Sequence, residues 1–236
     1  MLDRLASALP DLPRWVETRG MLLSGRCALV GEPVPGASDF VVGGTDFGLF
    51  AVVGQPDLGP LPEAVARRGG RAVLCASESA HRVSAAMPRG WKASRAIVHA
   101  LDGAGPPAPA ASSAVLLSPR DAASLAHVPQ PLRSELETAL GFAHVAAVRE
   151  DGRLVSFAYA SYETEGLWDL SIDTLEGSRG RGLARACCEL LIGHMSRHGK
   201  EPVWGSRADN VASLRLAARL GFTPVDELVV FEPETG

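Results

Sequence analysis

Several kinds of chemistry lack their residues in this 236-residue chain. Its four cysteines, Cys27, Cys75, Cys187 and Cys188, form no Cys-x-x-Cys pair and show no metal-ligand spacing with histidine. That argues against a metal site and for packed thiols, with the adjacent Cys187 and Cys188 inside a helical pattern. Positive charge is not in excess: 23 basic residues stand against 27 acidic ones, for a formal net charge of −4. A general binder of nucleic acid or of a membrane surface would carry the opposite balance. No apolar run is long enough to span a bilayer. No basic-then-apolar leader opens the sequence, because Asp3, Arg4, Pro10 and Pro13 interrupt it. The expectation is a cytoplasmic protein without metal, membrane or nucleic-acid partners. Tyrosine is scarce too, with only Tyr159 and Tyr162.

What the sequence does have is a glycine-rich turn, Ser178-Arg179-Gly180-Arg181-Gly182-Leu183-Ala184. It stands between a β-like run over 167–174 and an amphipathic helical run that begins near Leu183. Glycines here let the backbone approach an anion closely, and the free N–H groups of the helix start then point at it. Two arginines add charge-assisted donors for a ligand with several phosphates. The same pattern also serves as a plain helix entry. In the helix, Leu183, Ala186, Cys187, Leu190, Leu191, His194 and Met195 recur at three-and-four spacing, with Arg185 and Glu189 on the other face. His194 therefore reads as a packed or helix-end histidine.

The turn reads Arg-x-x-Gly-x-Ala. It is followed in order by Pro202-Val203-Trp204, by Asp209-Asn210-Val211-Ala212-Ser213 and by Leu220-Gly221-Phe222. Over residues 114–232 this resembles the GNAT superfamily of N-acetyltransferases. More closely it is similar to two-part members that include self-resistance enzymes acting on amino-bearing antibiotics. The resemblance implies acetyl-CoA as cosubstrate. Main-chain groups of Ile172, Asp173 and Thr174 would pair with the pantetheine arm, and the N–H groups of Arg181, Gly182, Leu183 and Ala184 would hold the pyrophosphate. Arg179 and Gly180 complete the motif, Asn210 would contact the cofactor arm, and Ser213 lies one turn on. Each has a structural alternative: Asn210 or Asp209 as a helix cap, the arginines as solvated side chains, Ile172 and Thr174 as ordinary strand residues.

The organisation expected is α/β, specifically α+β. A GNAT-like, mixed and mostly antiparallel sheet flanked by helices occupies 114–236. A Pro/Ala-rich linker covers 102–113, and an N-terminal α/β domain covers 1–101. In the C-terminal part a short strand at 115–117 precedes helices over 121–127 and 132–140. A hairpin then turns at Asp151-Gly152. In the N-terminal part strands are expected at 49–53, 71–75 and 96–101, with helices at 61–68 and 80–87. The stretch from Val73 to Trp91 echoes the stretch from Val203 to Phe222 in order and length. This half is therefore either a degenerate copy of the same fold or an unrelated accessory domain. Its counterpart of the phosphate turn, 55–60, carries Pro56 and Pro60 where N–H donors are needed and Asp57 where an anion would sit.

Acetyl transfer to an amine needs a held thioester, a proton acceptor for the ammonium and stabilisation of the oxyanion and leaving thiolate. Asp173, beside the expected thioester path, is the first candidate for the base, or else a structural carboxylate; Glu163 and Glu165 follow. Many members of the family carry a tyrosine as proton donor where this chain has Ala217, and Ser213 is a weak substitute. The reading is an N-acetyltransferase using a ternary complex and a small-molecule primary amine. A non-catalytic acetyl-CoA sensor or scaffold is the alternative. A GNAT-like domain using another acyl-CoA, or decarboxylating a thioester, is a third. The oligomeric state is open, a homodimer among the options.

Overall fold

The computed structural model describes residues 1–31, 38–101 and 113–234. The expected linker lies, except for Ser113, outside the described residues. Helices α1 (Leu2–Ala8) and α2 (Val16–Ser24) precede strands β1 (Cys27–Leu29), β2 (Phe40–Gly44) and β3 (Leu49–Val53). Helix α3 (Leu61–Arg67), β4 (Ala72–Cys75), α4 (Ala80–Ala86) and β5 (Trp91–Leu101) complete the first half. The second half opens with β6 (Ala114–Leu117), α5 (Leu132–Leu140), β7 (Val145–Glu150), β8 (Arg153–Glu163) and β9 (Leu167–Thr174). It ends with α6 (Leu183–Ser196), β10 (Glu201–Arg207), α7 (Val211–Arg219) and β11 (Phe222–Pro233).

All these strands join one sheet in the order β1-β2-β3-β4-β11-β5-β10-β9-β8-β7-β6. The order has a pseudo-twofold pattern. Each half contributes a meander leading into a parallel pair, β3 with β4 and β9 with β10. Each half then sends its last strand across: β5 pairs with β10, and β11 pairs with β4. The exchanged strands β5 and β11 run antiparallel to each other from Trp91↔Pro233 to Phe222↔Leu101. The halves therefore share their central hydrogen bonds and cannot part without breaking the sheet.

Local chemistry accounts for the elements that position the site. Asp151 (φ 47°) and Gly152 (φ 80°) make the tight hairpin between β7 and β8, a left-handed pair that short polar residues and glycine adopt. The apolar stripe of α6 buries Cys187, Cys188, Leu191, Ile192 and Met195 against Trp168, Leu170 and Trp204. Burial pushes the Cys187 thiol up to about 12, the environment of a packed thiol rather than a nucleophile. On the opposite face α1 and α2 pack Leu5, Met21 and Leu22 against Leu74, Tyr162 and Val230.

Two expectations are corrected. The helix expected over 121–127 is a 3-10 segment, Pro119–Leu125, started by a Ser118–Asp121 capping box. The strand expected from residue 96 begins at Trp91, because β11 extends its ladder through the polar stretch Lys92 to Arg95.

Candidate active site

The parallel ladder between β9 and β10 has three rungs, Leu167↔Glu201, Trp168↔Pro202 and Asp169↔Val203. Beyond them β9 stays with β8 as far as Thr174, and β10 stays with β5 as far as Arg207. The two strands thus splay into a wedge with its closed end at Asp169 and its mouth toward the glycine turn. Gly180 and Gly182 have φ of 74° and 79°, and no heavy atom lies within 4 Å of where a Cβ would stand on either. A side chain here would be strained and would fill the open cradle. Gly182 is the N-cap of α6, so the unpaired N–H groups of the first turn face this space with the positive end of the helix behind them.

One cavity of about 1130 Å³ runs through the wedge. Ile172, Asp173, Thr174, Arg179, Gly180, Gly182, Leu183, Ala184, Asn210 and Ser213 all line it. Arg181 does not: its guanidinium is held to Glu150 at 2.7 Å. Arg179 donates from Nε to the Thr174 carbonyl at 3.1 Å, which folds it back over the strand end. Asn210 caps α7, its Oδ1 accepting from the Ser213 N–H at 3.2 Å, and Ser213 Oγ accepts from the Trp204 indole at 3.0 Å.

Alternation along β9 sends Trp168, Leu170 and Ile172 toward α6, and Asp169, Ser171 and Asp173 toward the other face of the sheet. There the cavity becomes acidic. Burial raises the Asp173 carboxyl to about 6, helped by the charge of Glu135 and opposed by Arg179. Glu135 of α5 forms an ion pair with Arg71, from the first half, and accepts the Tyr159 hydroxyl at 2.9 Å. Asp169, 7% exposed, accepts a hydrogen bond from Ser161 and is raised to about 6 by burial. Glu17 of α2 also lines the cavity, and burial, then the charge of Asp169, hold its carboxyl well above the ordinary range.

Sequence reasoning missed Glu17, Glu135, Asp169 and Tyr159 as members of this cavity. They come from four separate elements, and only the spacing of Asp169 four residues before Asp173 hinted at a shared face. Of the other residues weighed, Glu163 pairs with Lys200 at 3.1 Å and Glu165 with Arg19 at 2.5 Å, and neither borders the cavity. His194 sits at the far end of α6, its Nε2 3.2 Å from His144 Nδ1. Ala217 is buried in the core beside Leu220 and Phe222. Among the described residues no group of three or more potential ligands is arranged to hold a metal, and no helix is long and apolar enough to cross a membrane.

Residues 136–231 match the family model for the GNAT acetyltransferase domain. No functionally curated protein matches the sequence. The fold is similar to that of a GCN5-related N-acetyltransferase-like protein from Streptococcus suis, at 18% identity over 98% of both chains with a TM-score of 0.74. A GNAT-family acetyltransferase from Novosphingobium aromaticivorans aligns over 95% of this chain and 100% of its own, at 20% identity and a TM-score of 0.68. A tandem GNAT protein from the clavulanic acid biosynthesis pathway covers 100% of this chain and 94% of its own, at 16% identity and a TM-score of 0.55. The alignments extend across both halves of the chain. Family match and fold agree: residues 136–231 form a GNAT acetyltransferase domain, a transferase domain, and the fold similarity extends across both halves.

Proposed function

We propose that the chain is an N-acetyltransferase that moves an acetyl group from acetyl-CoA to a primary amine of a small molecule, by direct attack with both substrates bound. The observation that carries this reading is the continuous cavity through the β9–β10 wedge, with an anion cradle at its mouth and carboxylates beyond. The cradle suits a pyrophosphate, received by the N–H groups of 181–184 with Arg179 beside them. The unpaired edge of β9 at 172–174 suits the pantetheine amides, with Asn210 and Ser213 on the opposite wall. Acetyl-CoA would supply an acyl thioester, and its thiolate is a tolerable leaving group without a dedicated acid. Asp173 takes the ammonium proton; a carboxyl raised to about 6 is a better base than an ordinary one and is still ionised at neutral pH.

The preference for a small molecule follows from the resemblance to two-part antibiotic-modifying acetyltransferases. The first half, 1–101, is read as a degenerate copy of 114–236, joined by 102–113; the mirrored strand order supports this. Four free cysteines fit a reducing compartment such as the cytoplasm. The buried Ala217, in place of a phenol, favours the second reading, a sensor that binds acetyl-CoA without turnover. Thiol release from acetyl-CoA across a panel of small amines separates the two. Amine-dependent release supports the transferase, and saturable acetyl-CoA binding with no release from any amine supports the sensor.

A further inference from the structure

We propose that Arg215 and Arg219 of α7 bind the ribose 3′-phosphate of coenzyme A and make the chain selective for the 3′-phosphorylated cofactor over its dephospho form. With the pyrophosphate in the cradle at 181–184, as the acetyl-CoA reading on which this inference rests requires, that 3′-phosphate is a second anion still to be met.

Helix α7 belongs to the β10 side of the wedge and the glycine turn to the β9 side, and one cavity is bounded by both. The helix starts at its N-cap Asn210, shortly after β10 ends at Arg207, and so begins at the mouth. Ala212, Arg215, Leu216 and Arg219 recur along it at three-and-four spacing, and all four border the cavity. Helical side chains lean toward the N-terminus of their helix. Both arginines therefore reach back toward the mouth, where the cradle opens.

These two are the uncommitted cations of the cavity. Arg179 donates to the Thr174 carbonyl, Arg185 pairs with Glu189 at 2.7 Å, and Arg207 is held by Asp209 at 3.0 Å and by Glu232 at 2.9 Å. Arg215 and Arg219 are exposed and have no hydrogen bond or ion pair among the described residues. From Val211 to Arg219 the helix carries no acidic residue to balance them. Like charges four residues apart on one helix face repel and weaken the helix. A phosphate dianion between them replaces that repulsion with charge-assisted contacts, and the guanidinium fork matches its oxygens.

The rest of the cavity gives the pair a direction. Its charge runs from these arginines at the mouth to Asp173, Asp169 and Glu17 beyond the wedge. A cofactor with its phosphates at one end and a neutral thioester at the other is oriented by that gradient. The N–H cradle recognises the pyrophosphate that both forms of the cofactor carry. Only the arginine pair distinguishes them.

The test is calorimetric titration of the full chain with CoA and with 3′-dephospho-CoA. CoA should bind at least about tenfold more tightly. In the double variant Arg215→Gln/Arg219→Gln, CoA should fall to the affinity of dephospho-CoA, which itself stays within about twofold of its wild-type value. Both positions are exposed, so the variant is expected to fold, and circular dichroism checks it. Arg215→Lys/Arg219→Lys keeps the charge without the fork and should retain part of the preference. Added salt should narrow the wild-type preference and leave the ratio of the glutamine variant near one. The assignment is overturned if wild type binds the two ligands equally, or if the glutamine variant keeps its preference or loses dephospho-CoA as well. Equal binding leaves the acetyl-CoA reading intact, whereas a wild-type chain that binds neither ligand sinks that reading together with the role of the arginines.

Discussion

The two halves present the same strand–helix–strand–helix–strand order, yet among the described residues only the second opens a cleft between its parallel strands. Between β9 and β10 the ladder stops after three rungs, whereas β3 and β4 pair without a break from Leu49↔Ala72 to Val52↔Cys75. In the second half two left-handed glycines lead into a 14-residue helix. In the first half the turn between β3 and α3 holds its own acid: Asp57 accepts from the Gly59 N–H at 3.0 Å, and Pro60 precedes a helix of seven residues. Arg82 donates to the Pro56 carbonyl at 2.8 Å and so fixes the turn from behind. The same sheet order therefore does not by itself make a cradle. A binding site in this fold depends on where two strands part and on what the turn beyond them leaves open. Among its described residues the first half contributes a wall and Glu17 to the cavity, and no such glycine turn.

The largest expected effect comes from closing the cradle. Gly182→Asp places a side chain at φ 79° and a negative charge at the start of α6. Affinity for CoA should fall by about 100-fold or more, as read by calorimetry on folded protein. Wild-type stoichiometry should be one CoA per chain, because the turn at 55–60 offers prolines and a carboxylate. Unchanged affinity would move the phosphate site elsewhere, and a stoichiometry of two would erase the distinction between the halves.

Next in size is Asp173→Asn. Turnover on an identified amine should drop by about 10²-fold while acetyl-CoA affinity is nearly unchanged. Because the base works only when ionised, wild-type kcat/KM should rise with pH through an apparent value of about 6 and be lost below it. The variant should lack that limb. A variant with full turnover and the same pH profile would assign the proton to another group, with Asp169 nearest along the strand.

How far the sequence foretold this site depends on how local each part is. β9, the glycine turn and α6 were legible because each is set by contiguous residues: alternation, positive φ at glycine, a three-and-four apolar stripe. Helix α2 was not, since Val16, Thr18, Gly20, Met21 and Leu22 are all buried and no polar face marks it. Strand β2, Phe40–Gly44, is buried at every position and shows no alternation for the same reason. The Glu17–Asp169–Asp173–Glu135 constellation exists only once the exchanged strands have brought the halves together. The register shift in β8 between Ala160 and Glu163, beside the buried Tyr162, has no glycine or proline to signal it.

A smaller effect concerns stability and again separates the halves' contributions. Asp169 is held at about 6, above the usual carboxylate value, so the folded chain binds its proton more tightly than the unfolded chain does. Its favourable contribution is complete below the unfolded pKa and is lost as pH rises through about 6. Asp169→Asn keeps a Ser161 partner without the charge. It should raise Tm at pH 8 by roughly 2–6 °C and change it much less at pH 4. A Tm gain of equal size at both pH values would mean that the aspartate is not held against its charge.

The smallest effect is predicted for Tyr159→Phe. Tyr159 borders the cavity and would be the obvious phenol to reprotonate the departing thiolate, a role with no residue at Ala217. Its hydroxyl, however, is committed to Glu135, the carboxylate that Arg71 ties to the first half. Burial, then the charges of Glu135 and Asp173, hold it well above a phenol's ordinary value. A thiol ionises near about 8.5, so proton transfer from such a phenol to the thiolate runs uphill. Tyr159 is thus a positioning residue that braces α5 against β8 across the acceptor end. Turnover of Tyr159→Phe should fall less than about threefold, with KM for the amine moving more than kcat. A loss of about 50-fold in kcat with acetyl-CoA affinity intact would make Tyr159 the acid, and would show that a phenol reaching in from β8 does what the family's tyrosine does from the helix.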